Sequence, residues 1–211
     1  MRLSYILFLF AVFSVVIPLI TSIFYIRLLN IDMKILAALM LITTMVEGIS
    51  FYLVKTELNY FWLQHIYTPL ECICWMGIFF SWLRDKKIRT IITILCTGFI
   101  LYCILNMLGH DNLKTTNDLP ATLACLLFVG LCCFTLIYFQ RKNKGLASIG
   151  YYYWIIAGLL LASAGSLAFF AFYRGMFSYP LYITHLVLNV ISYGLYTIGI
   201  IWLGRRTSSG V

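Results

Sequence analysis

Two glutamates, Glu47 and Glu71, and two histidines, His65 and His185, stand inside long apolar stretches of the chain whose interiors hold no lysine or arginine. Carboxyl and imidazole groups transfer protons, bind cations and ligate metals. A carboxylate in such a stretch, with no cation fixed beside it, must be protonated, paired with His⁺ or neutralised by a bound cation. Spacing gathers further polar groups around these four. His65, Thr68 and Glu71 step by three and span an arc of about 120° on a helix, with Pro69 between them removing one backbone donor. Thr43, Glu47 and Ser50 form a second stripe. His185, Asn189, Ser192 and Tyr196, at steps of four, three and four, form a third. Polar stripes facing lipid are costly, so the three faces are expected to meet. Glu47, His65, Thr68, Glu71, His185, Asn189, Ser192 and Tyr196 would then line one ligand-binding pocket. If that pocket holds a metal, its ligands are His65, Glu71 and His185; the sequence specifies no other cofactor.

The elements that carry these residues follow from composition. The chain has 211 residues, 63% hydrophobic and 10% charged. A soluble domain carries about 25% charged residues, and no soluble fold of this length hides so much apolar surface. A bilayer core needs about 20 apolar residues per helix. Seven stretches meet that requirement: 4–26, 33–54, 61–83, 90–108, 121–140, 151–173 and 178–203. The runs are continuous rather than alternating in polarity, which selects helices over a β-barrel. The expected fold is therefore all-α: an integral membrane bundle of seven transmembrane helices forming a single domain over 1–211. The first stretch is too long for the core of a secretion signal and is read as a retained helix.

Basic residues predict the orientation. Arg2, Lys55, Lys114 and Arg174 fall on one side. Arg27, Lys34, Arg84, Lys86, Lys87, Arg89, Arg141, Lys142, Lys144, Arg205 and Arg206 fall on the other, alternating with each crossing. The N-terminus is expected outside and the C-terminus in the cytoplasm of a multi-pass protein of the cell membrane. The net charge of +8 is then a topology signal facing anionic headgroups, and nucleic acid is not an expected partner. In this orientation Glu47, His65, Glu71 and His185 all lie between the outer interface and the midplane, so the pocket opens outward. All seven cysteines fall within spans, and they read as small packing residues rather than a disulfide framework. Gly158, Ala162, Gly165 and Ser166 on helix 6 read as a packing stripe. The polar segment Gly109–Pro120 reads as an outer loop.

Three functional classes follow. The first is a binding or sensing protein that takes a small ligand or protons from the external side. Its partners would be the bilayer and a separate signalling protein. The second is a zinc-dependent intramembrane hydrolase, with two His and one Glu on the metal and the other Glu as base. The third is a proton- or cation-coupled transporter, whose coupling groups are usually intramembrane carboxylates. The seven-helix outline resembles the superfamily of alkaline ceramidases and adiponectin-type receptors, in which histidines on helices 2 and 7 bind zinc. That resemblance maps a helix-7 ligand onto His185, where the residue four positions on is Asn189; helix 2 offers Glu47 and no histidine.

Overall fold

The computed structural model describes the backbone of residues 9–109, 113, 117–141, 150–172 and 178–208, and the side chains of all of these except 171, 172, 178–181 and 208. Arg2, Asp111, Lys114, Lys142, Lys144 and Arg174 lie outside the described residues. Seven helices follow one another: α1 (Val16–Tyr25), α2 (Ile31–Lys55), α3 (Phe61–Trp82), α4 (Lys86–Leu108), α5 (Asp118–Arg141), α6 (Tyr151–Phe172) and α7 (Ser178–Ser208). There is no strand among the described residues. α1 continues an apolar helical stretch that begins at Leu9. α2, α4, α5, and the stretches Tyr151–Phe170 and Tyr182–Thr207 within α6 and α7, are long and apolar enough to cross a membrane. α3 has the length, but Gln64, His65, Thr68 and Glu71 dilute its apolar character. The fold is all-α with seven helices, as the sequence predicts.

Local chemistry sets the helix ends. α4 begins four residues before the expected 90, because the Asp85 carboxylate caps it by accepting from the backbone amides of Lys87 (2.8 Å) and Ile88 (3.5 Å). α5 begins at Asp118 rather than 121. Asn117 occupies the cap position, its carbonyl accepting from Ala121 N at 3.0 Å, and Pro120 is tolerated in the first turn, where no amide hydrogen is needed. α2 ends in a Schellman-type turn: Leu58 N donates to Leu53 O (2.9 Å) and Glu57 N to Val54 O (3.2 Å). Glu57 takes the left-handed conformation there, with φ 56°.

Contacts gather the chain into two compact units, one of Ile31–Ala124 and one of Met1–Asn30 with Cys125–Val211. In the first, α2 and α3 run antiparallel. Trp82 Nε1 donates to Asp32 Oδ2 at 2.8 Å, Ile35 lies against Gly77, and the Thr43 and Tyr67 hydroxyls meet at 3.0 Å. The α3–α4 corner is closed by Arg89, which donates to the Leu83 and Phe80 carbonyls, both at 2.6 Å. These are carbonyls that the end of α3 leaves without intrahelical partners. In the second unit α6 and α7 pack antiparallel through small residues. A Cβ on Gly158 would lie 2.6 Å from the Tyr196 ring, and one on Gly165 would lie 2.7 Å from Leu188. α1 joins the same unit, with Tyr25 pressed onto Gly204 of α7. Close backbone approach at small residues is how helices associate in lipid, where the solvent supplies no hydrophobic drive between them.

Candidate functional site

The polar face of α3 is the richest chemical surface in the Ile31–Ala124 unit. Glu71 sits one turn after Tyr67 and one turn before Trp75, so the three side chains stack along one face. Tyr67 hydrogen-bonds to the Glu71 carboxyl, and the Trp75 indole stands beside it. The Tyr67 hydroxyl also reaches Thr43 Oγ1 of α2 at 3.0 Å, and Thr43 Oγ1 lies 2.9 Å from the Leu39 carbonyl. A continuous hydrogen-bonded path therefore runs from Glu71 across to the backbone of α2.

A second strand of the site arrives from the start of α5. Asn117 is only 3% exposed. Its Nδ2 donates to Thr68 Oγ1 at 2.8 Å and to the Gln64 carbonyl at 3.3 Å. Thr68 Oγ1 in turn donates to Gln64 O at 2.9 Å. With Nδ2 facing a carbonyl, the orientation of the amide is fixed, and Asn117 Oδ1 is left buried with no hydrogen-bond partner. The segment before Asn117 is tied to the beginning of α3 by Asn59, whose Nδ2 donates to Leu113 O at 3.2 Å and whose Oδ1 accepts from Phe61 N at 2.9 Å. The loop expected over Gly109–Pro120 thus has Asn117 held on α3 and Leu113 held by Asn59 just before it, and Asn117 is buried against α3 rather than in a solvated turn.

Glu47 and His65 lie on the same two helices at a different level. In the antiparallel register, Glu47 is one turn beyond Thr43 toward the α2–α3 turn, while Glu71 is one turn beyond Tyr67 in the other direction. At 1.5 Å per residue the two Cα positions stand about 12 Å apart along the helix axes. Glu47 is half-buried and level with Leu63 to His65; His65 is 3% exposed. The register therefore brings Thr68 and Glu71 together with Tyr67, Trp75, Thr43 and Asn117, and separates Glu47 from Glu71.

The α7 stripe is occupied within its own unit. His185 uses both ring nitrogens, Nδ1 with Ser166 Oγ of α6 at 3.3 Å and Nε2 with Asn189 Nδ2 at 3.1 Å. An amide nitrogen can only donate, so Nε2 accepts and Nδ1–H is directed at Ser166. Phe169 stacks on the imidazole at 5.2 Å and 14°. Ser192 is buried and donates to Leu188 O at 2.7 Å, and Tyr196 packs on Gly158. The polar stripe of α7 and the small-residue stripe of α6 face each other, and together they fasten the two helices.

The expected metal set of His65, Glu71 and His185 draws on both units, and in the structure both ring nitrogens of His185 are engaged in hydrogen bonds within its own unit. Among the described residues no three His, Cys, Asp or Glu side chains gather as metal ligands. Five of the seven cysteines are buried, and the Cys72 and Cys96 thiols hydrogen-bond across α3 and α4, in keeping with their reading as packing residues.

Sequence reasoning did not select Tyr67, Trp75 or Asn117. Tyr67 and Trp75 stand four residues on either side of Glu71, a spacing that places them over its side chain. Asn117 opens the run Asn-Asp-Leu-Pro, a helix-start signature that marks its position though not its reach onto α3. Compared with protein-family models, curated proteins and solved structures, the chain matches none, so its function is argued from its own geometry.

Proposed function

We propose that this is a multi-spanning membrane protein whose Ile31–Ala124 unit binds a small polar ligand or protons at Glu71 and passes the event to α2. The observation that carries the reading is the convergence of three elements on the polar face of α3. Tyr67 holds the Glu71 carboxyl with Trp75 one turn beyond it, Thr43 of α2 meets Tyr67, and Asn117 from the start of α5 closes over Thr68. His185 and Asn189 are hydrogen-bonded to each other within α7. The α3 face keeps a carboxyl with no lysine or arginine on its own helix and an amide oxygen with no partner.

The path has two directions of hydrogen bonding. When Glu71 is ionised, Tyr67 donates to it and Thr43 donates to Tyr67. When Glu71 holds a proton and donates it to Tyr67, the Tyr67 hydrogen turns to Thr43, and the Thr43 hydrogen turns to Leu39 O. Each hydroxyl has one hydrogen, so a change at Glu71 reorders the contact between α2 and α3. A signalling partner would read that contact, and the external side is the expected source of the ligand.

The test is the pH dependence of thermal stability in detergent or nanodiscs, for wild type and Glu71→Gln. Other titratable groups on the packed elements include Tyr67, His65, Cys72 and Cys74 on α3, Asp32, Glu47 and Tyr52 on α2, Cys96, Cys103 and Tyr102 on α4, and Asp118 on α5, with Lys34, Lys55, Lys86, Lys87 and Arg89 at the helix ends. Glu71→Gln should remove a component of the wild-type profile that Glu47→Gln leaves in place. Superimposable profiles for wild type and Glu71→Gln would sink the reading.

A further inference from the structure

We infer that the end of the second unit where α1, α5 and α7 finish is a docking site for the headgroup of an anionic phospholipid. All seven Asp and Glu residues of the chain lie within Ile31–Ala124, together with seven of its fifteen Lys and Arg residues. That unit is formally neutral. The whole charge of +8 falls on Met1–Asn30 and Cys125–Val211, which hold no Asp or Glu. A topology signal requires basic residues on one side of the membrane, but not a unit emptied of carboxylates.

Contacts within the unit bring arginines from three helices to one end. Tyr25, at the end of α1, is pressed onto Gly204 of α7. Arg27 follows Tyr25 by two residues, and Arg205 follows Gly204 directly. Phe139 of α5, two residues before Arg141, meets the Tyr152 ring of α6 at 5.7 Å. Tyr151 beside it reaches Asn30 Nδ2 through its hydroxyl at 3.3 Å and Trp202 through its ring at 6.5 Å. Arg206 lies over the Trp202 ring at 5.2 Å. Arg27, Arg141, Arg205 and Arg206 are all exposed. Three helix C-termini at this end offset part of their charge, but each is equivalent to only about half an elementary charge.

The surface next to the arginines selects a lipid over a soluble phosphate. Ile23 and Ile137 stand four residues before Arg27 and Arg141, and Ile198 stands seven before Arg205, spacings that put each pair on one helix face. All three isoleucines are exposed. Each strip ends in a guanidinium and continues as apolar surface, the order of a phosphate headgroup followed by its acyl chain. Tyr151, Tyr152 and Trp202 lie at the same level, as aromatic residues do at a membrane interface. Guanidinium groups bind phosphate oxygens through paired N–H donors.

The experiment measures the melting temperature of the purified full chain in non-ionic detergent at fixed ionic strength. Dioctanoyl phosphatidylglycerol, dioctanoyl phosphatidylcholine and glycerol 3-phosphate are titrated separately. The expected result is a saturable rise with phosphatidylglycerol alone. A basic residue near the surface contributes about fivefold in affinity, so the combined Arg27→Gln, Arg141→Gln and Arg205→Gln variant should bind about a hundredfold more weakly. The combined Arg84→Gln, Lys86→Gln and Lys87→Gln variant removes the same charge from the neutral unit and should lose no more than about threefold. Should the first variant fail to fold, its three single substitutions carry the test, each weakening binding about fivefold. The inference is overturned if phosphatidylcholine or glycerol 3-phosphate gives the same rise, or if phosphatidylglycerol gives none. It is overturned equally if the Arg27, Arg141 and Arg205 substitutions leave the affinity unchanged, or if the control variant loses as much. Glu71 takes no part in this site, so the outcome is separate from that of the proposed function.

Discussion

The hydroxyls of Tyr67 and Thr43 meet at 3.0 Å between α3 and α2, midway along a path that starts at the Glu71 carboxyl and ends on the Leu39 carbonyl. The pair should be energetically coupled. In a double-mutant cycle of Tyr67→Phe and Thr43→Val, the interaction energy should be about 0.6 kcal/mol, the average for hydrogen bonds between membrane helices. A coupling near zero in a denaturant-unfolding cycle would show that the two groups do not sense one another.

Asn117 supplies two hydrogen bonds to α3 from a buried position. Asn117→Ala removes both and leaves Thr68 and Gln64 O short of a donor. The expected loss of stability is about 1–3 kcal/mol, read as a lower unfolding midpoint. Asn59→Ala, on an exposed residue, should cost under half as much in the same assay.

His185 is a clasp between α6 and α7, hydrogen-bonded at both nitrogens and stacked on Phe169. His185→Ala should therefore lower stability by about 2 kcal/mol while leaving the metal content of the purified protein equal to that of wild type. Zinc bound stoichiometrically in wild type and lost in this variant would contradict the assignment.

Two glycines should respond with opposite signs to the same substitution. Gly158→Ala places a Cβ 2.6 Å from the Tyr196 ring and 3.0 Å from the Ser192 carbonyl oxygen, so α6 and α7 must separate. Overpacking of this kind costs about 1–3 kcal/mol. Gly48→Ala meets nothing within 4 Å and gains about 0.5–1 kcal/mol of helix propensity. Melting temperatures of the two variants, measured side by side, check both signs.

Glu57 holds a left-handed backbone at the end of α2, with φ 56°, where glycine is the favoured residue. Glu57→Gly should raise stability by about 0.5–1 kcal/mol, the steric relief exceeding the added freedom of the unfolded chain. A decrease would mean that the Glu57 side chain contributes an interaction larger than the strain.

Much of the fold is legible in composition, because only helices satisfy their own backbone across about 20 apolar residues. α3 is expected over 61–83 and occupies Phe61–Trp82. The discrepancies at α4 and α5 arise where Asp85 and Asn117 extend helices into polar sequence, since apolar runs mark what hydrocarbon covers and caps mark where a helix starts. The candidate site is legible only in part. Periodicity assigns Thr68 and Glu71 to one face of α3, and that face is the one that gathers Tyr67, Thr43 and Asn117. Periodicity carries no information on what a face opposes. The stripe of His185, Asn189, Ser192 and Tyr196 is a helical polar face like that of α3, yet its described hydrogen bonds stay within α6 and α7. Helical spacing marks a polar face in both places, and the difference lies in neighbours that one helix's sequence does not name.

Pro69 brings no amide hydrogen to α3, so the rung from position 69 back to the His65 carbonyl is missing. On the N-terminal side of Pro69, α3 is anchored through Gln64 and Thr68 to Asn117. On the other it is anchored through Trp82 to Asp32 and through Phe80 and Leu83 to Arg89. α3 is thereby a jointed rod, clamped at both ends and compliant at its middle. Glu71 sits two residues past Pro69, beside the turn that lacks this rung.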